Sequence, residues 1–228
     1  LNLEKNLGYL MRYPHGCIEQ TTSAVFPQLY LSSFMKLSDD QKKKIDVNII
    51  AALNKYRSFQ NSKGGFSYWP RHTSGASEWG TNYAGHFMVE AKNKGYDLPA
   101  GMLKSWVKFQ KGAASEWSRS SYFNWGRYQG DLSQAYRLYT LALSGNPDLG
   151  AMNRLKKDSK LSNVAAWRLA AAYAVVGRKD AANELAKRDY TVVKYGDMGY
   201  CYGSDVRDRA MILETMNYLD RRQTAGEL

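Results

Sequence analysis

Several features that would assign this chain to a familiar class are scarce or absent. No apolar run is long enough to span a bilayer, and the first residues, Leu-Asn-Leu-Glu-Lys, lack the basic-then-apolar pattern of a secretory signal. Two cysteines, Cys17 and Cys201, are too few for a disulfide framework. We therefore expect no direct membrane insertion by this chain. Export stays compatible with the sequence, because a domain of a larger protein need not carry the signal of its parent.

A concentrated basic surface is also absent, although 32 lysines and arginines against 21 acidic residues give a net charge of +11. The basic residues are dispersed along the chain. Their densest group, residues 42–44, lies beside three aspartates and reads as the solvated start of a helix. Nucleic-acid-binding proteins show a basic stripe or a recognisable module, and neither is found here. We expect no nucleic-acid partner.

What the sequence does contain is helical periodicity over nearly its whole length. Its 228 residues, 44% of them hydrophobic, suffice for one core, so we predict a single domain over residues 1–228, excised from a much larger protein. One apolar stripe joins Ile45, Ile49, Leu53, Tyr56 and Phe59. The predicted helices are 3–12, 17–35, 39–60, 78–94, 99–116, 131–145, 148–158, 162–177, 179–188 and 204–221.

Three loops between helices share a glycine-aromatic character, at residues 64–69, 122–126 and 199–203. Each precedes a helix for which Ser77, Asp131 or Ser204 is the predicted N-cap. Such a degenerate repeat suits helical hairpins stacked in an array. The sequence therefore predicts an all-α fold.

The pair with reactive potential is Cys17 and Gln20, a thiol and a carboxamide three residues apart. Pro14 and Gly16 would end any preceding helix, so a new helix is predicted to start at Cys17, where positions i and i+3 share a face. A thiolate that attacked the Gln20 amide would expel ammonia and leave a thioester. Unpaired N–H groups of the first turn are expected to favour the thiolate and to hold the oxyanion. The alternative is a small buried cysteine beside a solvated amide.

Residues 13–23, Tyr-Pro-His-Gly-Cys-Ile-Glu-Gln-Thr-Thr-Ser, resemble the thioester signature of the alpha-2-macroglobulin and complement family in its bacterial form. The vertebrate pattern is Gly-Cys-Gly-Glu-Gln, and Ile18 stands here for the second glycine. Residues 64–69, 79–84 and 203–210 resemble later segments of the same family. The resemblance thus covers nearly the whole chain.

The resemblance implies an α/α toroid, a ring of up to six helical hairpins like that of terpenoid cyclases and prenyltransferases. It also implies the thioester domain of a protease inhibitor, not an enzyme, located in the periplasm or cell envelope. Target proteases and neighbouring domains of the same chain are then the partners, and no cofactor or metal is expected. Gln20 would be the acyl donor and Cys17 the leaving group, with Glu19 part of the motif in a role that the sequence does not define. Tyr9 and Tyr13 are candidates for shielding the bond from water.

Three alternatives stay open. A zinc-dependent toroid enzyme, prenyltransferase-like or lanthionine cyclase-like, could draw ligands from Cys17, Cys201, His15, His72, His86 and nearby aspartates, although no Cys-x-x-Cys or His-x-x-x-His spacing is present. A hydrolase would need a histidine placed against Cys17, and no histidine is clearly so placed. The third alternative is a non-covalent interaction module.

Some complement-type members carry a downstream histidine that passes the acyl group to alcohols. The corresponding region here, roughly residues 119–128, contains no histidine. We therefore expect direct transfer to amines.

Overall fold

A computed structural model describes residues 3–71, 75–119, 130–192, 203–221 and 225–226. These residues form helices and turns, with one isolated bridge between Gln60 and Phe66 and no strand in the described ranges. The helices are α1 (Leu3–Leu10), α2 (Ile18–Val25), a 3₁₀ turn (Pro27–Leu29), α3 (Leu31–Phe34), α4 (Asp39–Tyr56), α5 (Glu78–Asn93), α6 (Met102–Glu116), α7 (Gly130–Leu143), α8 (Leu149–Lys156), α9 (Asn163–Val175), α10 (Lys179–Leu185) and α11 (Asp205–Tyr218).

The helix predicted over residues 17–35 is wrong as one element. It divides into α2, the 3₁₀ turn and α3, with the break at Pro27. Proline has no N–H to donate to the preceding turn and its ring crowds that turn, which ends the helix. The other predicted helices exist with ends that differ by a few residues.

Two of the three predicted N-caps are confirmed. Ser77 accepts a hydrogen bond from the N–H of Gly80, and Ser204 accepts one from the N–H of Arg207. Asp131 is not an N-cap, because α7 already begins at Gly130. Its buried carboxylate instead accepts the N–H groups of Leu132 and Ser162, at 2.8 Å each, and so ties the start of α7 to the N-cap of α9.

The chain divides into two compact units, Leu1–Gln110 and Lys111–Leu228. In the first unit α2 packs on α4 and α5, and the five residues of the predicted apolar stripe are all buried, namely Ile45, Ile49, Leu53, Tyr56 and Phe59. Tyr56 and Phe87 meet edge to face in this core, with ring centroids 5.9 Å apart.

The second unit is built on α9, which packs against α7, α10 and α11. The alanine-rich face of α9 permits close approach, and residues 165–173 are all buried. A buried charge, Arg168, pairs with Glu214 at 2.7 Å and lies over the Tyr139 ring. The glycine-aromatic segments 122–126 and 199–202 fall outside the described residues, as do His72 and Cys201.

None of the helices in the described part of the chain combines the length and the apolar character that a membrane crossing needs.

Candidate functional site

The segment that leads into α2 is held from two sides. The buried amide of Gln28 donates to the carbonyl of Arg12, and that of Asn48 donates to the carbonyl of Met11 and to the Gln28 side chain. Farther along, the ammonium of Lys55 donates to the carbonyls of Pro14 and Gly16. Backbone groups of this irregular segment are thereby satisfied by side chains, as buried polar groups require.

Cys17 and Gln20 form a reciprocal cap at the start of α2. The N–H of Gln20 points to the sulfur of Cys17 at 3.5 Å, and the N–H of Cys17 donates to Oε1 of Gln20 at 3.1 Å. This is the geometry of a capping box, with a thiol in the place of the usual hydroxyl. The predicted start of the helix at Cys17 is confirmed, and the pair lies in mutual contact.

The cap also directs a backbone N–H at each of the two side chains. The hydrogen bond from the N–H of Cys17 draws electron density from the Gln20 carbonyl carbon, and the N–H of Gln20 is directed at the Cys17 sulfur. The N–H of Ile18 does not share this role, because it donates to the carbonyl of Tyr68 at 3.1 Å. The expectation of freely available first-turn donors is corrected at that position.

Gly16 makes room for the amide. Its φ is +84°, and a Cβ built on it would lie 2.0 Å from Oε1 of Gln20. Such a distance is far below any van der Waals contact. The glycine of the motif thus serves both a left-handed backbone and the close approach of the Gln20 side chain.

The two members of the pair differ in access to solvent. Cys17 is only 1% exposed, whereas Gln20 is an exposed residue. A nucleophile from solvent would therefore reach the pair from the amide side, with the sulfur facing the protein. This asymmetry suits a bond whose leaving group stays in the core.

The neighbours of the pair anchor α2. Ile18 is fully buried against Gly80 of α5, where an added Cβ would lie 2.6 Å from Cγ2 of Ile18. Thr22 bonds the carbonyl of Ile18 at 2.7 Å and the hydroxyl of Tyr56 at 2.6 Å. Burial raises the pKa of Tyr56 well above its ordinary range, so this hydroxyl keeps its proton.

Glu19 lies half-buried beside α5. Burial raises the pKa of its carboxyl, and the pKa of Tyr83 is raised by burial and secondarily by the nearby charge of Glu19. Tyr83 also shares a hydrogen bond with Ser23. Glu19 therefore belongs to the contact between α2 and α5.

The two shielding candidates are exposed. Tyr9 is 64% exposed and carries the Arg12 guanidinium 4.0 Å from its ring centroid. Tyr13 is 51% exposed, with its ring centroid 4.7 Å from that of His15. Within this chain the burial of Cys17 rests on core packing, and a shielding role for either tyrosine stays a prediction.

Metal donors do not converge in the described ranges. No group of three or more His, Cys, Asp and Glu side chains there could hold a metal ion. The two described histidines lie in different surroundings. His15 is exposed, in the turn before Cys17. His86 packs edge to face on Phe26, and its Nε2 lies 3.9 Å from Oε1 of Glu90. The other possible donors, His72 and Cys201, lie outside the described residues.

Sequence reasoning missed three contributors, Lys55, Tyr68 and Gly80. Each reaches the site from another element, and none belongs to a local motif around Cys17. Tyr68 and Gly80 lie in segments that resemble the family, residues 64–69 and 79–84, whereas nothing in the sequence marks Lys55.

Fold and site together define an all-helical domain that presents a cysteine and a glutamine in one helix cap. The family model for the A-macroglobulin TED domain matches residues 2–146, which is more than half of the chain. The chain belongs to the A-macroglobulin TED domain family, as its motif predicts.

Relatives agree with this assignment. Alpha-2-macroglobulin of Escherichia coli (strain K12) is 33% identical over 110 residues, which are 45% of this chain and 6% of the relative. The structure of Salmonella alpha-2-macroglobulin reacted with methylamine matches 95% of this chain and 15% of that chain, with a TM-score of 0.78 and 24% identity. Native Escherichia coli alpha-2-macroglobulin, from domain MG7 to the C-terminus, matches 99% of this chain and 37% of that chain, with a TM-score of 0.77 and 24% identity.

These structural matches show the fold, and the predicted α/α toroid is confirmed. The chain spans only a small part of the relatives that it matches. The activity of the whole protein is therefore a separate question.

Proposed function

We propose that this chain is the thioester domain of a protease inhibitor that covalently captures attacking endopeptidases. The observation that carries the proposal is the reciprocal cap of Cys17 and Gln20, in which the side chain of each residue accepts the backbone N–H of the other. Membership of the macroglobulin family and the reaction of the Salmonella relative with methylamine support it.

Ring formation proceeds by attack of the Cys17 thiolate on Cδ of Gln20. The Cδ–N bond breaks, the amide nitrogen takes up a proton and leaves as ammonia, and a Cδ–Sγ bond forms. The N–H of Cys17 stabilises the negative charge that develops on Oε1 during the attack. The product stores an acylating group inside the protein.

Capture opens the ring, because a second nucleophile attacks the same carbon. A protease lysine amine attacks Cδ of Gln20, an amide bond forms, and the Cδ–Sγ bond breaks to release the Cys17 thiolate. The proton lost by the amine passes to the thiolate or to water. Each domain reacts once, so this is single-turnover acyl transfer and not enzymatic turnover.

We place the parent protein in the periplasm or cell envelope, with attacking proteases and neighbouring domains as partners. Support comes from the bacterial relatives and from the small share of them that this chain covers. The absence of histidine in residues 119–128 makes amines the preferred acceptors. Competition between labelled methylamine and glycerol tests this preference, and predominant glycerol uptake would contradict it.

Intact mass tests the thioester itself. The ring makes the chain lighter than its sequence by one ammonia, and methylamine should then add to Gln20 and expose one additional thiol. Cys17→Ala removes both responses and serves as the control. A full sequence mass with Cys17 free before treatment would count against the proposal. In the full-length protein, covalent protease capture that survives Cys17→Ala would refute it.

A further inference from the structure

Lys55 lies outside the thioester motif but contacts the turn that precedes Cys17. It lies in the last turn of α4, and its ammonium donates to the carbonyl of Pro14 at 3.2 Å and to that of Gly16 at 3.1 Å. The ammonium also sits 5.7 Å from the ring centroid of Phe59. One side chain thus bridges two carbonyls of the turn that ends at Cys17.

This placement links Lys55 to the geometry of the cap. Gly16 must keep its left-handed backbone for the Gln20 amide to lie against it, and Lys55 fixes the Gly16 carbonyl. Thr21 donates to the carbonyls of Gly16 and His15 at 3.4 Å each, so the turn is held by α4 and by α2 itself. Of Thr21 and Lys55, which both donate to this turn, only Lys55 carries a positive charge.

The charge has a second consequence. Burial lowers the pKa of Lys55, and its electrostatic interaction with Cys17 acts in the opposite direction, which places the two groups within electrostatic reach. In both ring formation and ring opening the sulfur bears negative charge. A fixed cation beside it stabilises the attacking thiolate in one direction and the departing thiolate in the other.

We propose that Lys55 is a positioning residue of the thioester: it holds the turn from Pro14 to Gly16 and supplies the positive charge that stabilises the Cys17 thiolate. The proposal rests on the proposed function, since it assigns a residue to the same chemistry. In ring opening, the amine–Cδ bond forms as the Cδ–Sγ bond breaks, and the electron pair stays on the sulfur of Cys17, next in the chain to the carbonyl that Lys55 binds.

Three substitutions separate position from charge. Lys55→Met removes both, Lys55→Gln keeps a hydrogen-bond donor without the charge, and Lys55→Arg keeps the charge. Lys43→Met is the matched control, because Lys43 is an exposed lysine of the same helix and the net charge changes equally. For each chain we would measure the melting temperature, the rate of methylamine-induced thiol release, and the rate at which iodoacetamide alkylates the Cys17 peptide at neutral pH.

We expect thiol release and alkylation of Cys17 to slow by about tenfold in Lys55→Met and Lys55→Gln, and to stay within about twofold of wild type in Lys55→Arg. Lys43→Met should match wild type. Lys55→Gln should melt close to wild type, which shows that its slower chemistry does not arise from unfolding. Equal rates in Lys55→Gln and wild type would overturn the proposal.

The alkylation measurement keeps this test separate from that of the proposed function. It needs only a free Cys17, either released by methylamine or present because no ring formed, and the peptide mass distinguishes Cys17 from Cys201. A wild-type chain without a thioester would refute the proposed function. Unchanged alkylation in the uncharged Lys55 variants would refute the role of Lys55 alone.

Discussion

The side-chain oxygen of Gln20 occupies the space beside Gly16 that a Cβ atom would fill. The gap from that Cβ to Oε1 would be 2.0 Å, and to Cδ of Gln20 2.9 Å. In the proposed ring formation, Cδ is the carbon that accepts the sulfur. A side chain on Gly16 would therefore displace Cδ of Gln20. The φ of +84° would add backbone strain for any residue other than glycine.

Gly16→Ala is expected to abolish methylamine-induced thiol release and to destabilise the chain by about 1–2 kcal/mol through its left-handed backbone. Gly95→Ala provides the control, because Gly95 also has a positive φ, +92°, but a Cβ added to it would have no atom within 4 Å. It should show a similar loss of stability with normal thiol release. Thiol titration and thermal melting of both variants check this, and thiol release by Gly16→Ala would contradict the contact argument.

The hydrogen bond between Thr22 and Tyr56 predicts unequal effects of removing its two partners. Thr22→Val leaves the fully buried Tyr56 hydroxyl without its partner and should destabilise by about 1–3 kcal/mol. Tyr56→Phe leaves Thr22 bonded to the Ile18 carbonyl and should cost only about 0.5–1.5 kcal/mol. Denaturant unfolding of the two single variants and the double variant measures both. A larger loss in Tyr56→Phe than in Thr22→Val would contradict the assignment.

Much of the fold was accessible to sequence reasoning because it depends on local pattern. Helical periodicity located the α4 stripe from Ile45 to Phe59, and serine chemistry located the caps at Ser77 and Ser204. The division of residues 17–35 was also visible in principle, since Pro27 marks it. Apolar spacing continues across Pro27, but the missing N–H ends the helix there.

The site was predictable only where it is local. Cys17 and Gln20 lie three residues apart, so one helical turn brings them together. Lys55 and Tyr68 reach the same turn from distant positions in the chain, and only tertiary packing determines which lysine or which carbonyl arrives there. No spacing rule in the sequence encodes those contacts.

Gly80 and Ile18 form a complementary pair across α5 and α2, and this predicts coupling between them. Gly80→Ala would place a Cβ 2.6 Å from Cγ2 of Ile18 and should destabilise by about 1–3 kcal/mol through overpacking. Ile18→Ala should cost about 2–5 kcal/mol as a cavity. Because the added methyl group at position 80 then has room, the double variant should lose less than the sum of the two, by about 0.5–2 kcal/mol.

Gly112→Ala is the matched control for that cycle. Gly112 is an exposed residue of α6 with no atom within 4 Å of an added Cβ, so the higher helix propensity of alanine should stabilise by up to about 1 kcal/mol. Strict additivity of Gly80→Ala and Ile18→Ala in denaturant unfolding would show that the two residues do not constrain each other.

Glu19 predicts a pH dependence of stability with a definite sign. It lies in the first turn of α2, where the helix dipole favours negative charge, yet burial raises its pKa, so desolvation is the stronger effect. The folded chain then binds the Glu19 proton more tightly than the unfolded chain does. Its contribution to stability is full below the unfolded pKa and is lost as pH rises through the folded pKa.

Glu19→Gln removes this titration while preserving shape. We expect a melting temperature above that of wild type at pH 7, by a few degrees at most because the side chain is only half-buried, and a difference that shrinks toward pH 4. Glu116→Gln, at an exposed position of α6, should leave the pH profile unchanged. A Glu19→Gln chain that melts below wild type at pH 7 and matches it at pH 4 would mean that the ionised carboxylate stabilises α2, the reverse of the sign argued from its burial.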